Sequence, residues 1–405
     1  MTRSSTGRRH AGRSAGVGLT ALALAALTAA GCSSSSSSST STPASPASGA
    51  ASTSAAAAGA SASGTPFMVG AMGTFTGVAS GSTGEAKTVF QDWVSATNAA
   101  GGINGHPVQA VILDDQNNPS TALSNAQQLV QQDHVKVIFD LSDNLESSFA
   151  KVVDTAKVPV LELLGELKAA SLAKVSKIGA LYCAEIASCA ETVPLFTTLG
   201  PTTGVHLAYS AKVSSTASSY TAQCLGAKNS AANGVTVGAA SDVALRVAES
   251  CSAQGYKPVW VSTAGEMTTT WLSQPAVNGA TGSVQDVPWF DNSIPATQAM
   301  QAAISKYSPS VLTSASFGAT ATIGWAAGTV FATVAKTANL TPDSSQTAII
   351  AGLDTVKNNT YGGITPPLTS TAGKAAQVPC SFVAGISNGK WTEPIGLKTI
   401  CMPGM

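Results

Sequence analysis

Short apolar runs alternate with longer segments of helical spacing from residue 66 onward. Four runs are predicted to be strands: 67–72, 108–113, 135–139 and 158–161. Between them, apolar residues recur at helical spacing in the segments 84–99, 121–132 and 145–156. Strands separated by helices of this length predict right-handed crossovers and a parallel sheet that helices cover on both faces.

A second series of the same kind follows. Its predicted strands are 205–209, 235–239 and 259–262, and its predicted helices are 215–231 and 242–254. The span from 66 to 405 is too long for one small core and suits two lobes. Two successive α/β sheets leave a cleft between them, and loops at the carboxyl ends of parallel strands face ligands.

The first 31 residues have the layout of an export signal. Four arginines precede a run of small and apolar residues from 15 to 31. This Ala-rich run falls short of the roughly 20 strongly apolar residues of a transmembrane helix, although an uncleaved N-terminal anchor stays an alternative. Residues Leu27 to Cys32 resemble a bacterial lipobox, with Ala29 where that pattern usually has Leu. The resemblance implies cleavage before Cys32 and a diacylglycerol anchor on its side chain.

The stretch from 32 to 65 consists almost entirely of Ser, Ala, Thr, Gly and Pro and contains no charged residue. Such a composition cannot form a core, so we expect a disordered tether with an end-to-end distance of roughly 30 Å. Over the whole chain 10% of residues are charged, against about 25% in ordinary domains, and 21 basic residues balance 21 acidic ones. The absence of a basic excess excludes a nucleic-acid partner.

Seven cysteines are present, and six remain once Cys32 is set aside for the lipid. An even number in an exported chain predicts three disulfides. We expect neighbours in sequence to pair, although the other connectivities stay open: Cys183 with Cys189, Cys224 with Cys251, and Cys380 with Cys401. Zinc is disfavoured because the chain has no Cys-x-x-Cys pair, and we expect neither a metal nor a cofactor.

Several stretches resemble the branched-chain amino-acid-binding proteins of ABC importers. The opening blocks are VGAM at 69–72, Thr76-Gly77, NAAGGINGHPV at 98–108, Asp114-Asp115, Pro119, and QLV at 128–130 with Val135. Later blocks are AQGYKP at 253–258, YGGITPP at 361–367 and NGKW at 388–391. The resemblance covers nearly all of 66–405. It implies an α/β type I periplasmic-binding-protein fold: two Rossmann-like lobes with parallel sheets, a three-strand hinge, a ligand in the cleft and no catalysis.

On that fold we predict lobe one at 66–190 and 310–360, and lobe two at 191–309 and 361–405. Hinge crossings are expected near 185–203, 307–313 and 355–365, and closure is expected to be a hinge motion. The resemblance places hydroxyls, helix N-termini and an acidic side chain around an amino-acid ligand, because helix N-termini favour anions and a carboxylate favours an ammonium group. The matching positions are Thr76, Ser80, Ser142, Asp143, Asn144 and Glu166 in lobe one, and Ser214, Ser215, Ser241 and Glu266 in lobe two.

Glu266 is the predicted ammonium partner, with a solvated turn as the alternative, and residues 142–144 are equally interpretable as a helix cap. The loop after the third strand is LSDNLE, and KVSS stands where the family commonly has Tyr after the first strand of lobe two. These departures allow a ligand other than leucine, isoleucine or valine. An enzyme is disfavoured: GISNG at 385–389 matches the hydrolase Gly-x-Ser-x-Gly pattern, but all four His precede it and Asn-Gly indicates a hairpin.

The sequence therefore predicts a monomeric solute-binding lipoprotein on the outer face of the cell membrane. It is expected to capture a small polar ligand, an amino acid or a related carboxylate, and to deliver it to an ABC permease. A ligand-sensing lipoprotein of the same fold without a transporter is the alternative, and a serine hydrolase is a remote third.

Overall fold

The computed structural model describes residues 62–401, except 143, 144, 146, 147, 150, 151, 153–158, 373–377 and 379. The predicted signal peptide, most of the tether, Cys32, Asp143 and Asn144 lie outside the described residues, as does most of the helix predicted at 145–156. In the described part of the chain, no helix combines the length and apolar character needed to cross a membrane.

The first sheet has three parallel strands in the order β2-β1-β3. They are β1 (Phe67–Gly73), β2 (Val108–Asp114) and β3 (Ile138–Asp140). The helices that follow the first two strands are α1 (Ser80–Thr83), α2 (Ala86–Ala99) and α3 (Pro119–Gln131). Asn118 starts α3 by accepting hydrogen bonds from the backbone N–H groups of Ser120 and Thr121, and Pro119 occupies the first helical position.

The second sheet follows the order β10-β9-β8-β7-β6-β4-β5, and β11 pairs with β9. Its strands are β4 (Lys177–Cys183), β5 (His206–Val213), β6 (Gly234–Gly238), β7 (Val259–Ser262), β8 (Thr281–Val284), β9 (Cys380–Ser387), β10 (Lys390–Thr392) and β11 (Ile400–Cys401). Strands β4 to β8 pair in parallel, whereas β9 pairs antiparallel with each of its neighbours β8, β10 and β11. The α/β type I periplasmic-binding-protein fold is thus present.

The remaining helices divide between the two sheets. They are α4 (Pro159–Leu172), α5 (Ala187–Glu191), α6 (Val193–Thr203), α7 (Thr221–Asn229), α8 (Ser241–Ala253), α9 (Pro295–Tyr307), α10 (Ala319–Thr337) and α11 (Gln346–Leu353). Helices α4 to α8 pack with the second sheet and form lobe two with it, whereas α9 and α10 pack on α2 and belong to lobe one. In lobe one, Phe90, Trp93, Phe139 and Phe331 form one aromatic cluster under α10.

The predicted strand at 158–161 is wrong, because residues 159–161 open helix α4. The segment PVLELLGELKAASL is rich in Leu, Glu and Ala, which favour helix, and it begins with a proline in the first helical position. The short apolar run at its start was too brief to separate a buried strand from a helix.

The predicted lobe boundaries at 190 and 309 also need correction. Strand β4 pairs with β5 and β6, so the chain has already entered lobe two before residue 177. The second crossing is the segment 285–294, which joins β8 to α9, rather than 307–313. The third crossing follows Ile364, whose carbonyl accepts a 2.9 Å hydrogen bond from the backbone N–H of Val287 in the second crossing.

Three disulfides join sequence neighbours, as predicted: Cys183–Cys189, Cys224–Cys251 and Cys380–Cys401. Cys224 and Cys251 are fully buried and connect α7 to α8. Cys380 and Cys401 connect β9 to β11 near the end of the described chain. The first disulfide differs from these two, because it borders the cavity described below.

Asp286, at the start of the second crossing, makes stability depend on pH. Burial raises the pKa of this carboxyl to about 7, although a hydrogen bond with Thr322 of α10 acts in the opposite direction. Between pH 3.8 and about 7, the folded state keeps a proton on Asp286 that the unfolded chain releases. The free energy of unfolding therefore falls as the pH rises from 3.8 to about 7. We expect wild type to be less stable at pH 8 than at pH 5, and Asp286→Asn to reduce that difference by about 3 kcal/mol. Urea unfolding at the two pH values measures it; an equal difference in both proteins would contradict the assignment.

Candidate functional site

A cavity of about 240 Å³ lies where the carboxyl ends of the strands of both sheets meet. Lobe one contributes residues that follow β1, β2 and β3: Val78, Ala79, Ser82, Thr83, Asn117 and Ser142. Lobe two contributes residues at or after the ends of β4 to β7: Cys183, Glu185, Ile186, Cys189, Thr192, Ser215, Gly238, Ala239, Ala240, Val243, Thr263 and Gly265. The first turns of α10 add Thr320 and Ile323.

The two lobes touch directly beside this cavity. Ser82, in α1 of lobe one, accepts a 2.9 Å hydrogen bond at Oγ from the backbone N–H of Ser241, the first residue of α8 in lobe two. Both serines are buried. Next to them, a Cβ added at Gly81 would lie 3.1 Å from Oδ1 of Asp242. The cleft is therefore closed over the cavity on this side.

A second junction between the lobes forms the base of the cleft. The residues that lead into α10 run beside the segment that follows β7: Gly318 bridges to Thr268, and the backbone N–H of Thr269 donates a 2.8 Å hydrogen bond to the carbonyl of Phe317. Thr320, two residues after Gly318, is buried and lines the cavity. This junction brings the N-terminus of the longest lobe-one helix to the ligand side of the cleft.

Glu185 is the only ionisable side chain among the described residues that line the cavity. Its Oε1 accepts hydrogen bonds from Oγ of Ser214 at 2.9 Å, from the backbone N–H of Ser215 at 2.7 Å and from Oγ of Ser215 at 2.9 Å. Partial burial acts to raise the pKa of Glu185, but these hydrogen bonds outweigh it, so the pKa lies below its usual range. A fixed negative charge therefore stands at the lobe-two wall.

Asn117 presents a hydrogen-bond acceptor from lobe one. Its backbone N–H donates a 2.8 Å hydrogen bond to Oδ1 of Asp115, which holds the turn after β2. The Oδ1 atom of Asn117 is buried and has no hydrogen-bond partner among the described residues. Because a buried acceptor without a partner costs free energy, this atom favours a ligand that brings an N–H or O–H group.

Glu266, the predicted ammonium partner, lies behind the cavity rather than on its surface. The side chain closes a capping box with Thr263, whose backbone N–H donates to Oε2 at 3.3 Å. Burial and the neighbouring Glu166 raise the pKa of Glu266 well above its usual range. The backbone carbonyl of Glu266 accepts a 2.8 Å hydrogen bond from Oγ of Ser241. A buried carboxyl with a raised pKa in this place supports the cavity wall more directly than it offers a charge to a ligand.

Among the predicted ligand residues that the structure describes, Ser142 and Ser215 line the cavity. Of the other predicted residues that the structure describes, Glu266 lies behind the cavity, and five bond to protein groups outside the lining: Thr76 donates to Asp114, Ser80 to the carbonyl of Gly77, Ser214 to Glu185, Ser241 to the carbonyl of Glu266, and Glu166 accepts from Thr236. Sequence reasoning missed Glu185, Asn117 and Thr320. Glu185 lies two residues after the end of β4. A prediction of that strand would have pointed to Glu185, because loops at the carboxyl ends of parallel strands face ligands.

Ser387 is not placed as a hydrolase nucleophile. It ends β9, which forms a hairpin with β10 through Asn388 and Gly389, both at positive φ. The predicted hairpin is thus confirmed, and the strand-to-helix turn that the hydrolase pattern requires does not occur there. Within the described residues, no group of three or more His, Cys, Asp or Glu side chains could hold a metal ion.

A family model described as periplasmic binding protein matches residues 66–171 and 164–390. A fatty acid ABC transporter substrate-binding protein from Thermomonospora curvata has a similar structure, with a TM-score of 0.67, 15% identity, and coverage of 85% of this chain and 95% of that one. An ABC transporter solute-binding protein from R. palustris in complex with benzoate has a TM-score of 0.66 at 14% identity, covering 84% and 99%. A leucine-binding protein from Thermotoga maritima has 0.64 at 12% identity, covering 80% and 97%. No curated protein matches the chain.

Proposed function

The chain belongs to the periplasmic binding protein family, and we propose that it is the solute-binding lipoprotein of an ABC importer. Proteins of this family bind solutes and are not enzymes. The observation that carries the proposal is the cavity of about 240 Å³ that both lobes line and that the Ser82–Ser241 contact closes. Pockets for drug-sized ligands are roughly 300–1,000 Å³, so this cavity suits a smaller metabolite.

The lining supports an amino acid or a related carboxylate as the ligand. The ionised Glu185 and the Asn117 acceptor suit an ammonium group. Helix α10 begins at the cavity with Thr320 near its N-terminus and no acidic residue in its first turn, which favours a carboxylate there. Val78, Ile186 and Ile323 add apolar surface to the lining. A fatty acid, leucine and benzoate, the ligands named for three similar structures, share a carboxyl group.

A cavity-filling variant tests this location. Ile323→Trp adds bulk at a half-buried lining position, so we expect it to abolish retention of a ¹⁴C-labelled amino-acid mixture in equilibrium dialysis. Ile350→Trp is the matched control, because Ile350 is 56% exposed on α11 and does not line the cavity. Retention that survives in Ile323→Trp would place the ligand elsewhere, and no retention by wild type would contradict the ligand class.

The proposal includes export, a diacylglycerol on Cys32, a Ser- and Ala-rich tether between Cys32 and the binding domain, and a monomeric binding domain at the outer face of the membrane. Two acyl chains hold a protein durably on a bilayer, and a single weak anchor does not. We expect Cys32→Ala to move most of the protein from the membrane fraction to the medium. Ser33→Ala is the control and should stay with the membrane; equal membrane retention of Cys32→Ala would contradict the anchor.

A further inference from the structure

The disulfide Cys183–Cys189 encloses the loop that carries Glu185. Cys183 is the last residue of β4, and Cys189 lies in the short helix α5. The two cysteines, Glu185 and Ile186 all line the cavity. One covalent ring therefore contributes four cavity-lining residues, including the ionised carboxylate.

Among the described residues, hydrogen bonds at Ala184 and Glu185 hold this loop against the end of β5. The backbone N–H of Ala184 donates a 2.9 Å hydrogen bond to the carbonyl of Val213, and Glu185 accepts from Ser214 and Ser215. Ala184 and Glu185 are exposed, and α5 has only five residues. A short, exposed segment of this kind opens locally at low free-energy cost unless a covalent link restrains it.

The other two disulfides have different surroundings. Cys224–Cys251 joins two helices in the core, where both cysteines are fully buried, and Cys380–Cys401 joins two strands away from the cavity. Neither pair lines the cavity. The fold alone explains these two disulfides. It does not explain why Cys183–Cys189 borders the cavity.

We propose that the Cys183–Cys189 disulfide is a positioning device for ligand binding: it holds the Glu185 carboxylate and the Ile186 side chain in the cavity wall. Without the link, the loop between the two cysteines samples other conformations, and Glu185 leaves the Ser214 and Ser215 donors. The ligand then meets a wall without a fixed charge. The effect on ligand affinity rests on the proposed function, whereas the effect of the disulfide on the position of Glu185 does not.

The backbone N–H of Ser215 reports the position of Glu185 without any ligand, because it donates to Oε1 at 2.7 Å. In the full chain, we expect Cys183→Ser/Cys189→Ser to lower hydrogen-exchange protection at Ser215 by roughly tenfold or more, as does Glu185→Ala. Protection in β4 and β6 should stay unchanged in both variants. The matched control, Cys380→Ser/Cys401→Ser, should keep Ser215 protected. Undiminished Ser215 protection in Cys183→Ser/Cys189→Ser would overturn the proposal.

A double-mutant cycle separates positioning from a general loss of stability. The probe is the L-amino acid that binds wild type most tightly in calorimetry. If the disulfide acts through Glu185, Glu185→Gln costs affinity in wild type but little in Cys183→Ser/Cys189→Ser. Additive losses would overturn the proposal. If no amino acid binds wild type, the proposed ligand class fails, and the exchange measurement at Ser215 still decides the role of the disulfide.

Discussion

Glu185→Gln is expected to weaken binding of an ammonium-bearing ligand by roughly 10- to 100-fold, because hydrogen bonds to charged groups contribute about 1.5–3 kcal/mol. Gln keeps the length of the side chain and an acceptor oxygen for Ser214 and Ser215, so the wall should keep its shape while it loses its charge. Calorimetric titration of wild type and variant with the same amino acid measures the difference. A carboxylate analogue of that ligand without the ammonium group should show no comparable loss.

Glu266→Gln is the comparison that assigns the ammonium partner. Glu266 is buried behind the wall and outside the cavity lining, and burial raises its pKa, so the amide should change ligand affinity far less than Glu185→Gln does. If Glu266→Gln reduces affinity more than Glu185→Gln, the ligand ammonium lies at Glu266, as the resemblance of the sequence implied. If both variants bind as wild type does, neither carboxyl is the partner.

Gly318→Ala is expected to destabilise the junction at the base of the cleft. A Cβ at this position would lie 2.0 Å from the carbonyl oxygen of Met267, so the backbone on one side must move. That movement would disturb the bridge to Thr268, which ties the start of α10 to lobe two. Overpacking of this kind typically costs about 1–3 kcal/mol, and we expect a loss of that size in urea unfolding.

The control for this variant is Gly238→Ala. At Gly238 the nearest heavy atom to an added Cβ is the carbonyl oxygen of Leu181 at 3.8 Å, an ordinary van der Waals distance. We expect little change in its unfolding free energy. Equal stability of Gly318→Ala and wild type would show that the junction yields easily, and it would contradict a tight closure at the base of the cleft.

Local patterns predicted much of the fold. The alternation of short apolar runs and helical segments marked the first two strands and α2 and α3, and the second series marked β5, β6, β7 and α8. The pairing of cysteines that are neighbours in sequence could also be predicted.

The site was harder to predict from the sequence, because it depends on contacts between distant parts of the chain. Ser82 and Ser241 are 159 residues apart, and nothing in either sequence neighbourhood shows that one closes on the other. Glu266 looked like a ligand group because it follows a strand, but its local capping box with Thr263 and its burial turn it away from that role. Glu185 was missed because strand β4 was not predicted.

The most direct test of the central claim is a thermal-shift panel on the full chain after mild unfolding to remove bound ligand. The panel contains the L-amino acids, and for each one that binds, the matched acid without the ammonium group and the matched amine without the carboxylate. A ligand at a hundredfold excess over its Kd stabilises the folded state by about 2.7 kcal/mol. We predict that at least one amino acid raises Tm and that both matched analogues raise it less. A correctly folded, ligand-free protein that no amino acid stabilises, or one that binds the acid as tightly as the amino acid, would contradict this account.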